Sequence, residues 1–86
     1  MVLYKILTEN KFPDETAQWV SALFDGFTVY HAQGVWKGTA ELSLVIEIVG
    51  TSDDLPRVRS LCEKIRIHNN QQCVMLLTSD VTMDLI

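Results

Sequence analysis

The chain has 86 residues, of which 48% are hydrophobic and 21% charged, the balance of a globular protein expected to form one domain over residues 1–86 with a thin core. A net charge of -4 and a pI of about 4.9 would repel a phosphate backbone, and no Lys/Arg cluster with interleaved aromatics offsets this, so nucleic acid is not an expected partner. No segment approaches the ~20 apolar residues of a membrane span and no basic leader precedes a long apolar run, so no membrane association is expected and a cytoplasmic location is.

Val2 to Thr8, VLYKILT, has β-branched and aromatic residues, with Val2, Tyr4 and Ile6 on one face and Leu3, Lys5 and Leu7 on the other, and predicts a first strand. Pro13, Asp14 and Glu15 suit a first helical turn, and Ala17, Val20, Leu23 and Phe24 follow at helical spacing, so a helix is predicted from Pro13 to Phe24 with Gly26 as its left-handed stop. Phe27 to Gln33 predicts a second strand. Gly34 and Gly38 then bracket a tight connection centred on Val35 and Trp36. Ala40 to Val49 reads as the third strand, with Leu42, Leu44, Ile46 and Ile48 on one apolar face and Glu41, Ser43, Val45, Glu47 and Val49 on the other.

Thr51 or Ser52 can cap a second helix whose core stripe is Leu55, Val58, Leu61, Cys62 and Ile65, with cationic groups at its end and Asn69 and Asn70 as its exit. Cys73 to Thr78 predicts strand four and the residues from Ser79 a short tail. The order β-α-β-β-α-β specifies an α+β, ferredoxin-like sandwich: a four-stranded antiparallel sheet with both helices on one face. Helices cover one face only, yet several strands are apolar on both. Self-association is the economical way to cover the other, and it would put a site at a subunit boundary.

Strand parity sends Tyr30 and Glu41 to that second face, and a turn centred on Val35 and Trp36 sets them opposite one another. Such a pair can be a ligand site or a simple cross-strand contact. Trp36 can likewise stack a planar ligand or pack on protein. His31 and His68 have no second ligand at metal-site spacing, so no metal is expected. Cys62 and Cys73 are expected to be reduced core residues without a CxxC arrangement, and GVWKG is too short for a phosphate loop.

The segment Gly34-x-Trp36-x-Gly38-x-x-Glu41, with Tyr30 eleven positions before the glutamate, resembles the bacteriophage-encoded S-adenosylmethionine lyases, formerly called S-adenosylmethionine hydrolases. The resemblance extends from the opening strand to QQCVMLL. It implies a ferredoxin-like homotrimer holding S-adenosylmethionine between subunits as substrate, without a cofactor or metal. The substrate's own carboxylate attacks its γ-carbon, giving 5'-methylthioadenosine and homoserine lactone, which would deplete the methyl donor of host restriction and modification enzymes. By the same resemblance, Glu41 is the anchoring carboxylate and Tyr30 a neighbouring hydrogen-bond donor; Trp36, Gln72, Cys73 and Val74 contact the ligand. A similar AQGxW hairpin, here Ala32 to Trp36, also occurs in bacterial families without a known reaction, so a non-catalytic oligomeric small-ligand-binding or regulatory module is the alternative.

Overall fold

The computed structural model covers Met1–Ile86 and has β1 (Val2–Glu9), α1 (Pro13–Ser21), β2 (Thr28–Trp36), β3 (Thr39–Gly50), α2 (Leu55–Asn69) and β4 (Met75–Asp80). The strands lie in the order β2-β3-β1-β4, and every neighbouring pair is antiparallel. This is the ferredoxin-like arrangement that the element order specified.

Alternation along the strands sends one set of side chains under the helices. Tyr4 and Ile6 of β1 and Leu44, Ile46 and Ile48 of β3 form the core with Val20, Phe24, Val58, Leu61 and Ile65. Leu42, expected in that apolar row, is instead 72% exposed. It stands beyond the end of the helical cover, where its parity is right and nothing lies above it.

Pro13 starts α1, but the helix ends at Ser21; the amides of Leu23 and Phe24 both bond the Val20 carbonyl in a tightened last turn. Gly26 does not take a positive φ, so the expected left-handed stop is absent. At the end of α2 the left-handed position falls on Asn70, at φ 53°, a residue that tolerates it through local side-chain hydrogen bonding.

Thr51 marks the entry to α2 through a short 3-10 turn, Ser52–Asp54. Its amide donates to Asp54 Oδ2 at 2.8 Å, while Arg57 pairs with Asp54 Oδ1 at 2.7 Å. The Thr51 amide and then the Arg57 side chain hold the Asp54 carboxyl below its ordinary value. A depressed folded-state pKa contributes stability above the unfolded value near ~3.9, and that stability is lost as pH falls through the folded one. Asp54→Asn should therefore melt below the wild type at neutral pH, with the gap closing in acid. A gap independent of pH, measured by thermal melts across that window, would contradict the assignment.

The β2–β3 hairpin departs most from expectation. Its turn is Lys37-Gly38, with φ of 49° and 79°, and Trp36 pairs with Thr39. Two successive positive φ values fit a tight two-residue hairpin loop, and Gly38 supplies one of them at no steric cost. β2 thus runs to Trp36 rather than stopping at Gln33. β4 begins at Met75 rather than Cys73 and extends to Asp80, and the Val81 amide bonds the Met1 carbonyl, so Ser79 and Asp80 belong to the sheet.

Candidate functional site

On the sheet face away from the helices, alternation places Leu3, Lys5 and Leu7 from β1, Tyr30 and Trp36 from β2, Val45, Glu47 and Val49 from β3, and Met75 and Leu77 from β4. Tyr30, Trp36, Val49, Met75 and Leu77 are exposed. In the middle of this face, Lys5 Nζ lies 3.3 Å from Glu47 Oε1, and the Tyr30 hydroxyl donates to the same oxygen at 3.2 Å. Charge and phenol are satisfied there within one chain.

That geometry revises the expected Tyr30–Glu41 pair. With the turn at Lys37-Gly38, Tyr30 stands opposite Val45, while Glu41 stands opposite Gly34. The register moves by an even number of residues, so both side chains keep the face that parity gave them. Four residues along the strand nevertheless separate their positions by roughly 13 Å.

Glu41 belongs to a different constellation. A cleft of about 390 Å³ opens at the end of the sheet, and its walls include Trp36, Glu41, Glu9, Lys11 and the loop Gln71–Cys73. Glu41 is half-buried, and no intrachain ion pair engages its carboxylate. Gly34, opposite it, keeps this wall low: a Cβ there would lie 2.5 Å from Ser43 Oγ. Trp36, two residues further along the same face, is a diagonal neighbour of Glu41.

The other wall is a hydrogen-bonded network that sequence reading largely missed. Thr8 Oγ1 donates to Gln71 Oε1 at 2.8 Å, and Asn69 Nδ2 donates to that oxygen at the same distance. Gln71 Nε2 donates to the Cys73 carbonyl at 2.6 Å. Lys11 Nζ donates to the Asn69 carbonyl at 2.8 Å and lies 3.4 Å from Glu9 Oε2. These bonds tie the loop after α2 to the end of β1 and so fix the cleft's shape.

Of the residues assigned to ligand contact, Trp36, Gln72 and Cys73 line the cleft with Glu41. Val74 does not. It packs against the core and lines a separate groove between α2 and β4. Cys73 is exposed rather than a core residue, while Cys62 is partly buried, and both are free. Burial pushes the Cys62 thiol up to about 11, which keeps it protonated and unreactive near neutrality. His31 Nδ1 lies 2.5 Å from Asn10 Nδ2, whereas the His68 ring stands edge-on to Phe12 and Trp19. No three His, Cys, Asp or Glu side chains converge in a way that could hold a metal ion, and no helix is long and apolar enough to cross a membrane.

No family model and no curated protein matches the chain in sequence. Its likeness to solved structures is one of fold. A DUF3240 family protein from Shewanella baltica superposes with a TM-score of 0.83 at 11% identity, over 99% of this chain and 93% of that one. A phage S-adenosylmethionine lyase in its apo state superposes with a TM-score of 0.72 at 15% identity, over 91% of this chain and 78% of that one.

Proposed function

We propose that this chain is a self-associating small-ligand-binding module whose cleft, between the β2–β3 tip and the loop after α2, holds an organic cation with a planar part. The observation that carries this reading is Glu41: a half-buried carboxylate without an intrachain ion partner, next to the Trp36 ring at the edge of a cleft. A carboxylate in that position favours a cation, and the indole, with Lys37 Nζ 5.8 Å from its ring centroid, is a surface on which a planar group can stack. Copies of the chain are the proposed cover for the open sheet face. Its central charges, Lys5 and Glu47, already neutralise one another, so two such faces can meet without mutual repulsion. A homotrimer with clefts at subunit boundaries is the expected form.

The sharper reading takes the cation to be S-adenosylmethionine and the module to be a lyase. The fold shared with the phage S-adenosylmethionine lyase supports it. So does the chemistry, because the reaction asks the protein for little beyond position. A substrate carboxylate oxygen bonds the γ-carbon as the carbon–sulfur bond breaks, and the electron pair stays on sulfur, leaving neutral 5'-methylthioadenosine and homoserine lactone. No water, metal or cofactor need be activated, and holding the chain in a near-attack conformation can lower the barrier by up to ~7 to 11 kcal/mol. Tyr30 and Glu41 stand four residues apart along their own hairpin, so in this reading Tyr30 of one copy approaches Glu41 of another. A phage-borne lyase would deprive host restriction and modification enzymes of their methyl donor.

Incubation with S-adenosylmethionine separates the two readings: methylthioadenosine with homoserine lactone marks the lyase, and saturable binding without products marks the module. Glu41→Gln keeps the shape and removes the charge, so it should stay folded and lose about ten- to a hundredfold in affinity or turnover. An unchanged titration or product yield in that variant would overturn the assignment.

A further inference from the structure

We propose that Lys11 binds the carboxylate of the ligand, so that the cleft selects an amino-acid-bearing organic cation over a simple amine or a nucleotide. This deepens the ligand-binding reading of the same cleft and rests on it. Three charged residues line the cleft, Glu9, Lys11 and Glu41, so the lining carries a net single negative charge but not a uniform one. A polyphosphate would meet two carboxylates and be repelled. A simple monocation would satisfy Glu41 and leave Lys11 facing a second positive charge. A ligand with two positive centres and one carboxylate, net +1, matches the pattern at both ends.

Lys11 has the hydrogen-bonding capacity for that role. An ammonium carries three donors, and the structure engages one, on the Asn69 carbonyl. Glu9 Oε2 lies at 3.4 Å yet is buried without a hydrogen-bond partner, so the Glu9–Lys11 pair is electrostatic and incompletely satisfied. Two N–H donors on a side chain that is 43% exposed thus remain for an acceptor in the cleft. The bond to Asn69, at the end of α2, also anchors the ammonium against the α2–β4 loop. An anchored charge loses less conformational freedom on binding than a free surface lysine would.

The probes are S-adenosylmethionine and decarboxylated S-adenosylmethionine, which share the adenosyl and sulfonium groups and differ by the carboxylate. Affinity is read from the quench of tryptophan fluorescence immediately after mixing, before any turnover accumulates. The wild type should bind the carboxylate-bearing probe about tenfold or more tightly. Lys11→Met should remove that preference and leave the decarboxylated probe within about twofold, while Lys11→Arg should restore most of it. Because the preference is a ratio within one protein, loosening of the loop by the lost Asn69 bond cancels from it. If Lys11→Met does not fold, the wild-type ratio and its retention in Lys11→Arg decide the matter. Equal affinities in the wild type, or a Lys11→Met loss equal for both probes, would overturn the role of Lys11 alone. Failure of both probes to bind the wild type would overturn the cleft reading and this inference with it.

Discussion

Ile46→Ala should cost about 2 to 5 kcal/mol, the range for deleting a fully buried aliphatic side chain without collapse of the surrounding structure. Ile46 is 0% exposed in the strand between β1 and β2, pairing with Ile6 on one side and Val29 on the other. Both neighbours belong to or pack on the same core, which α1 and α2 close from above. No solvent-side path lets the site shrink. For a domain of this size, each kcal/mol lowers Tm by about 4 to 8 °C, so the melt should fall by at least ~8 °C. Leu42→Ala, four residues earlier on the same strand face, should change stability by less than about 0.5 kcal/mol because its side chain is largely solvated. Urea titrations giving similar losses for the two variants would contradict the placement of the core.

Leu77→Glu tests the open face and should have the largest effect on assembly. Leu77 is 48% exposed, lies on the edge strand and stands opposite Lys5, so a glutamate there can be accommodated in the isolated chain beside an ammonium. In an assembly that buries this face it introduces a carboxylate beyond the one that Lys5 already neutralises. Burying such a charge costs several kcal/mol, which should weaken association about a hundredfold or more. Sedimentation at micromolar concentration should therefore find the wild type assembled and Leu77→Glu monomeric, with far-UV circular dichroism unchanged and ligand affinity reduced. A monomeric wild type, or a variant that assembles equally well, would remove the subunit-boundary site.

Much of this was legible in the residues because alternation and helical spacing are local signals. The apolar row from Leu44 to Ile48 and the stripe Val58, Leu61 and Ile65 mark buried faces without reference to the rest of the chain. Pro13 and Thr51 mark where helices are entered. What escaped depends on distance. The segment GVWKG offers two glycines as turn centres, and only ladder pairing decides that Lys37 accompanies Gly38. Faces were therefore right and neighbours wrong: Tyr30 met Glu47 instead of Glu41.

The same logic explains the rest. Leu42 and Cys73 have apolar character at positions the helices do not cover, and the extent of that cover is a tertiary property. Thr8, Lys11, Asn69 and Gln71 converge from segments about sixty positions apart, and none carries a recognisable motif. One local hint existed, since Glu9 and Lys11 flank the exit of β1 with opposite charge.

The most direct test of the cleft is a titration of isotope-labelled protein with S-adenosylmethionine, followed by amide and indole resonances. Saturable shifts concentrated at Gly34, the Trp36 indole, Glu41 and Gln71–Cys73 are expected. Saturable shifts confined to other surfaces, or none at millimolar ligand, would contradict a ligand site there.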